Sequence, residues 1–328
     1  MKAIAYHRYG SPDVLEYEEI EKPTPGDDEV LLRVRAASVN PYDWHFMRGT
    51  PYFLRMMAGL RKPKITRLGV DVAGQVEAVG RNVTRFKPGD EVFGMCKGAF
   101  AEYACASESA LVMKPASVTF EQAASAPVAA YTALQGLRDK GKLQPRQKVL
   151  INGAAGGVGT FAVQIAKWFG ADVTGVCSTR NLEMVRSIGA DHVIDYTQQD
   201  FTRSGQLYDL IFDCVGNHSF SACRGVLSPK GTNIVVGGPT GRWMIAPLAG
   251  LLAALVLSRF TSQKLVMALA KPNKEDLTLV SELMEAGKIV PVIDKRYRLN
   301  KVPEAIRYLE EGHARGKVVI TLEHSNQT

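Results

Sequence analysis

Cysteine is scarce and scattered in this chain. The five, Cys96, Cys105, Cys177, Cys214 and Cys223, are odd in number and form no C-x-x-C pair. That excludes a disulfide framework and a zinc knuckle, and a reducing, cytoplasmic setting is expected. Long apolar runs are lacking too. The most apolar stretch, 244–257, is broken by Pro247 and Gly250 and is shorter than the roughly 20 residues that cross a bilayer. It is expected to be a buried or interface helix, with membrane-surface contact as the less favoured alternative. No Arg/Lys run alternates with aromatics, so no nucleic-acid groove is expected. The start, Met1-Lys2-Ala3-Ile4-Ala5-Tyr6, reads as a strand and has no apolar core of a signal peptide. Neither sign of charge dominates. A net +7 over 328 residues gives solubility and some attraction for anionic ligands. With 46% hydrophobic and 22% charged residues, the chain has the makings of a soluble two-domain protein.

What is present begins with Gly153-Ala154-Ala155-Gly156-Gly157-Val158-Gly159. The apolar run 148–151 precedes it, and Val158, Phe161, Ile165 and Trp168 follow at helical spacing. Strand, glycine turn and helix together form the context of a dinucleotide fingerprint, although Ala154 holds its first glycine position. Such a turn sets the backbone amides of Ala155, Gly156, Gly157 and Val158 against a pyrophosphate at the positive end of the helix. A side chain at Gly156 would block that approach, while Gly159 lets helix and sheet pack closely. The alternative is a glycine-rich turn with no ligand. The next strand, 172–177, ends in Cys177-Ser178-Thr179-Arg180-Asn181 with no carboxylate for a ribose 2′-hydroxyl. A hydroxyl followed by a guanidinium suits a 2′-phosphate. Ser178, Arg180 and Asn181 therefore favour NADP(H) over NAD, the alternative being a helix cap and a solvated arginine.

The first third reads as short strands, 14–17, 29–40, 69–79 and 91–94, separated by turn residues, which suggests a small barrel-like β domain. Within it, 47–67 is an insertion carrying Phe53, Leu54, Met56, Met57 and Leu60 beside Arg55, Arg61, Lys62, Lys64 and Arg67. An ordered loop with a solvated basic edge and a lid over the site are the two main readings, with membrane contact less favoured. A helix over 121–137, opened by Thr119, should divide at Pro127. Alternating strands and helices from 149 to 236 then predict a doubly wound parallel sheet. After a helix at 274–285, strands at 297–299 and 317–320 flank a helix and return to the first domain.

Seven blocks in order carry a family resemblance. They are Met1-Lys2-Ala3; Ser38-Val39-Asn40-Pro41-Tyr42-Asp43-Trp44; Gly69-Val70-Asp71-Val72-Ala73-Gly74; Phe86-Lys87-Pro88-Gly89-Asp90; Ala154-Ala155-Gly156-Gly157-Val158-Gly159; Gly189-Ala190-Asp191-His192-Val193-Ile194-Asp195-Tyr196; and Gly316-Lys317-Val318-Val319. Over essentially its full length the chain resembles the zinc-independent quinone oxidoreductase branch of the medium-chain dehydrogenase/reductase superfamily. The resemblance implies an α/β protein with a chaperonin-10-like β-barrel catalytic domain, 1–122 and 292–328, and a Rossmann NADP-binding domain, 123–291. It also implies an active site in the cleft and a homodimer. The zinc branch uses a Cys near position 40 and a Gly-His-Glu; here stand Asn40-Pro41-Tyr42-Asp43 and Gly69-Val70-Asp71, so no metal is expected.

Without a Lewis acid to stabilise an alkoxide, hydride transfer to an already electrophilic acceptor is the natural reaction. The expectation is therefore NADPH-dependent reduction of a quinone or α,β-unsaturated carbonyl. The alternatives are an enal, enone or enoyl-thioester reductase, or an inactive NADPH-binding sensor. The resemblance places Asn40 and Asp43 in the catalytic cleft and His45 where relatives often have Tyr, with Tyr52 as a second candidate proton donor. It sets Thr132 at the nicotinamide, Tyr196 by the 2′-phosphate or adenine, and Arg315 and Lys317 near the cofactor phosphates. Gly237 and Gly238 end the strand 232–236, where backbone would approach the nicotinamide.

Overall fold

The computed structural model describes residues 1–237 and 262–323. Gly238 and the apolar stretch 244–257 lie outside the described residues. The chain forms two compact units: 1–128, 272–287 and 291–328 make the first, 129–271 and 288–290 the second.

Unit 1 begins with β1 (Lys2–Ala5) and β2 (Glu16–Glu19), an antiparallel pair. The expected strand at 14–17 starts later because Pro12–Val14 closes a 3-10 turn. Then come β3 (Glu29–Val39), α1 (Pro41–Arg48), α2 (Leu54–Ala58), β4 (Asp71–Val79), β5 (Glu91–Met95), β6 (Tyr103–Ser107) and β7 (Leu111–Met113). Thr119 opens α3 (Phe120–Ser125) through a capping box with Gln122, and Pro127 starts a new helix, α4 (Pro127–Gln135), as its missing N–H requires.

Unit 2 follows with β8 (Lys148–Asn152), α5 (Gly157–Trp168), β9 (Asp172–Cys177), α6 (Leu182–Ser187), β10 (His192–Asp195), β11 (Tyr208–Asp213), α7 (Phe220–Arg224), β12 (Leu227–Val235) and β13 (Lys264–Met267). The chain returns to unit 1 with the helix Lys274–Glu285, β14 (Ile293–Arg298), the helix Val302–Glu310 and β15 (Lys317–Thr321).

The large sheet of unit 1 runs β14-β15-β3-β4-β5-β7, with β6 also on β3. Val30, Leu32 and Val34 on β3 join Val72, Val92, Val318 and Ile320 in one core. A bulge between Val34 and Ala36 sits opposite Gly74, where a Cβ would lie 2.4 Å from the Arg33 carbonyl oxygen. The helix Lys274–Glu285 belongs to this unit; the sequence reading placed it, and 123–128, with the parallel sheet. Its periodicity marks an apolar face, Leu277, Val280, Leu283 and Met284, but not which sheet that face covers.

Unit 2 is a six-stranded sheet in the order β10-β9-β8-β11-β12-β13, parallel throughout. The order reverses between β8 and β11, the point beyond whose carboxyl ends ligands bind in such sheets. The sixth strand, β13, was not expected from the sequence. On α5, Phe161 and Ile165 are buried as predicted, but Trp168 at its last turn is exposed.

Candidate active site

Unit 1 gathers buried polar side chains where β3 gives way to α1. Asn40 caps the helix and Pro41 follows at its first position, where a missing N–H costs nothing. Asp43, one turn on, accepts from the Asn40 backbone N–H at 2.8 Å and from the Gly69 N–H at 2.9 Å. Burial pushes its carboxyl up to about 7, against the pull of those two N–H groups. With both oxygens on backbone and no exposure, Asp43 braces the turn into β4.

Sheet register brings Lys317 to the same place. Val318 pairs with Val39, so Lys317 falls level with Asn40, and its Nζ donates to Asn40 Oδ1 at 2.7 Å. Asn40 Nδ2 donates to Asp71 Oδ2 at 2.9 Å and to the Ser38 carbonyl at 3.3 Å. Ser38 Oγ donates to Asp71 Oδ2 at 2.8 Å, and the Val128 N–H to Asp71 Oδ1 at 3.0 Å. The ammonium lies 3.5 Å from Asp71. Burial lowers the Lys317 pKa, with Asp71 and Asp43 opposing.

His45 projects from the same helix, stacked on Trp44 with ring centroids 3.7 Å apart. Its Nδ1 lies 2.8 Å from the Thr50 carbonyl oxygen. A carbonyl only accepts, so the ring proton is assigned to Nδ1 and Nε2 is an acceptor. Burial holds its pKa below the ordinary 6.5. Neutral in this tautomer, His45 presents Nε2 as an acceptor, which counts against the donor role considered for it. Between pH 6.5 and 8, the kcat profiles of wild type and His45→Asn should therefore have the same shape. An inflection there that only the wild type shows would restore the donor role. Tyr52, half-buried on the insertion, has the Arg55 guanidinium 4.9 Å from its ring and carries an O–H donor.

In unit 2, β8 ends at Asn152 and Gly153 takes φ +81°. A Cβ on Gly159 would sit 2.0 Å from the Gly153 carbonyl oxygen, so the turn's own packing requires that glycine. Gly156 differs. Its backbone is ordinary extended, φ −82° and ψ 177°, and a Cβ there would meet only the Gly153 oxygen at 3.4 Å. The chain leaves this space open at the N-terminus of the 12-residue α5. Ala155, Gly157 and Val158 share the same turn. At the adjoining strand ends, Asn152 Nδ2 donates to Asp213 and Asn217 at 2.9 Å each, and the Val215 and Gly216 N–H groups donate to Asp213.

Beyond β9, Asn181 is buried and its Nδ2 donates to Ser178 Oγ at 3.1 Å, while its Oδ1 is buried with no protein partner. Arg180 and Tyr196 are exposed at the same strand ends. The neighbouring carboxylate, Asp195, is engaged by the hydroxyls of Thr179 and Thr197.

Residues 26–116 match the alcohol dehydrogenase GroES-like domain, and residues 188–320 match a family described as zinc-binding dehydrogenase. The chain is 35% identical to the chloroplast envelope quinone oxidoreductase homolog of Arabidopsis thaliana, covering 98% of both chains. The chain belongs to the medium-chain dehydrogenase/reductase superfamily. A second relative, the NADPH-dependent alkenal/one oxidoreductase of Arabidopsis thaliana chloroplasts, is 33% identical over 98% of this chain and 79% of its own. The solved quinone oxidoreductase of Coxiella burnetii superposes with a TM-score of 0.86 at 30% identity, covering 98% of this chain and 99% of that one.

Membership of the superfamily raises two ligands, a zinc ion and a nicotinamide cofactor. The donors around Asn40 and Asp71 do not fit zinc. Each already has protein partners, and a lysine ammonium sits among them. Cys96 near Asp71 is half-buried, and desolvation together with the Asp71 charge pushes its thiol pKa up. Among the described residues, the trio of His, Cys, Asp or Glu able to share an ion is His7, Glu16 and Glu18, outside this cluster. The cofactor fits better. The open space at Gly156, the N-terminus of α5 and the unpaired Asn181 oxygen lie on unit 2 around its switch point.

Other expected positions divide. Thr132 lies half-buried on α4. Gly237 is demanded by the fold, since its Cβ would sit 2.2 Å from the Cys214 carbonyl oxygen. Arg315 is exposed, with its N–H on Asp294. Lys317 does not share that exposed edge; it is the buried cation of the unit 1 cluster, because β15 carries it against β3. The sequence reading missed Ser38, Asn152 and Asp213, and it set Asp71 aside. Asn152 and Asp213 were readable as polar residues closing apolar strands at their carboxyl ends.

Proposed function

We propose that this chain is an NADPH-dependent reductase that delivers hydride to a quinone or α,β-unsaturated carbonyl without a metal ion. The observation that carries the reading is the buried Lys317–Asn40–Asp71 cluster, in which an ammonium stands where a metal's donors would have to be free. The names of the relatives, quinone oxidoreductase and NADPH-dependent alkenal/one oxidoreductase, support the acceptor class and the cofactor. Bound NADPH would supply the hydride from its nicotinamide ring. The amides of Ala155, Gly157 and Val158 would hold the pyrophosphate beside the space open at Gly156, whose own N–H donates to the Gly153 carbonyl, and Ser178 with Arg180 the 2′-phosphate. Tyr52 would give the proton once charge develops on the acceptor oxygen. All five cysteines are free, which supports a reducing, cytoplasmic setting. A homodimer belongs to the same proposal.

Oxidation of NADPH should be measured with 1,4-benzoquinone and with a simple enone. Turnover with neither acceptor, or stoichiometric zinc in the pure protein, would refute the proposal. In Arg180→Ala, the preference for NADPH over NADH should fall about 10- to 100-fold, the worth of a charge-assisted hydrogen bond. An unchanged ratio would remove Arg180 from the cofactor site.

A further inference from the structure

The insertion between α1 and β4 exposes apolar surface on a firmly held base. Phe53 is 53% exposed, Met56 78%, Met57 77% and Leu60 71%. Arg61, Lys62 and Lys64 stand exposed beside them. From Trp44 to Val70 the chain has no Asp or Glu, so no acid within the loop itself balances this charge. The loop is anchored from beneath. Tyr9 Oη donates to the Gly59 carbonyl at 2.6 Å, and Arg55 Nε to that of Gly49 at 3.0 Å, with the Arg55 guanidinium 4.4 Å from the Tyr9 ring centroid. The Lys64 N–H closes the loop on the Ala58 carbonyl at 2.7 Å. The apolar tip is thus presented by ordered chain, and its exposure needs an explanation from outside unit 1.

We propose that residues 53–64 dock the protein on the surface of an anionic lipid bilayer. The four apolar side chains would enter the headgroup region while Arg61, Lys62 and Lys64 pair with lipid phosphates. Charge complementarity selects this occupant. A second copy of the chain would bring together two basic loops, neither of which carries an acid of its own. A fluid lipid surface also suits flexible methionines, which need no fixed shape match. No helix among the described residues is long and apolar enough to cross a membrane, so the contact is peripheral.

The test is co-sedimentation of the whole protein with vesicles of phosphatidylcholine alone, and with phosphatidylglycerol added. The wild type should partition onto the anionic vesicles and come off as salt rises. Arg61→Gln/Lys62→Gln/Lys64→Gln should partition on the order of a hundred-fold more weakly. Met56→Ser/Met57→Ser/Leu60→Ser should lose at least about tenfold. All these side chains are exposed, and far-UV circular dichroism checks that both variants fold. The proposal is overturned if the wild type stays in solution with either vesicle, or if both variants bind as the wild type does. It is also overturned if light scattering shows a self-association that these substitutions abolish, since a second copy would then be the occupant. No cofactor or acceptor enters the assay, so its failure would leave the reductase proposal standing.

Discussion

Lys317→Met is expected to lower stability by about 3–5 kcal/mol, the usual result of leaving buried charge without its partner. Asp43 and Asp71 have no solvent exposure, and Lys317 is the cation that lies among them. Urea unfolding of wild type and variant measures the loss. Adding Asp71→Asn should restore part of it, because the remaining carboxylate is then less crowded, with a coupling of about 1 kcal/mol or more. The pH dependence has a definite sign. A carboxyl raised in the folded state contributes stability that is present below its unfolded pKa, near 4, and lost as pH rises through the folded value. Asp43 already stands at about 7 with Lys317 pulling it down. Removing that pull raises it further, so the variant's deficit should be larger at pH 8 than at pH 5. Equal stability of wild type and Lys317→Met would show that the ammonium does not hold this cluster.

Two glycines in one turn should fail for opposite reasons. Gly156→Ala is expected to leave folding within about 1 kcal/mol, since its backbone is extended and the new methyl group has room. The Kd for NADPH should nevertheless rise on the order of a hundred-fold, as one or two charge-assisted hydrogen bonds to phosphate are lost. Gly159→Ala should instead cost about 3 kcal/mol of stability, because the Gly153 carbonyl oxygen stands 2.0 Å from the new Cβ. Thermal unfolding and a fluorescence titration with NADPH separate the two effects. Unchanged binding in Gly156→Ala would move the pyrophosphate elsewhere.

What could be read from the sequence was local. The β8–turn–α5 unit is written in neighbouring residues, an apolar run, a glycine cluster and a 3.6-residue repeat, so it was legible. So was the break at Pro127, which follows from one missing N–H. The pairing of Asn40 with Lys317 was not, because it depends on which residue of β15 falls level with the end of β3, a matter of register between distant stretches. For the same reason Lys317 was expected beside Arg315, two residues earlier, whereas Arg315 lies before β15 with its N–H on Asp294, Gly316 turns the chain at φ +99°, and Lys317 opens the strand that pairs with β3. Asp71 looked unimportant because one carboxylate alone does not make a zinc site. Its importance appears only with Ser38, Asn40 and Val128 around it. The tautomer of His45 rests on the Thr50 carbonyl, which no motif encodes.

The long return of the chain also orders the birth of the molecule. Nearly all of unit 2 is one continuous stretch, 129–271, whereas unit 1 needs residues from both ends. As synthesis proceeds, every strand of the parallel sheet exists before β15 is made. Throughout that interval one margin of β3, from Ala36 to Val39, lacks the neighbour that will cover it, and Asn40 lacks its cation. A bare strand margin invites pairing with other chains. The nascent protein therefore carries this open margin until 317–321 is made, after most of its hydrophobic interior has already emerged.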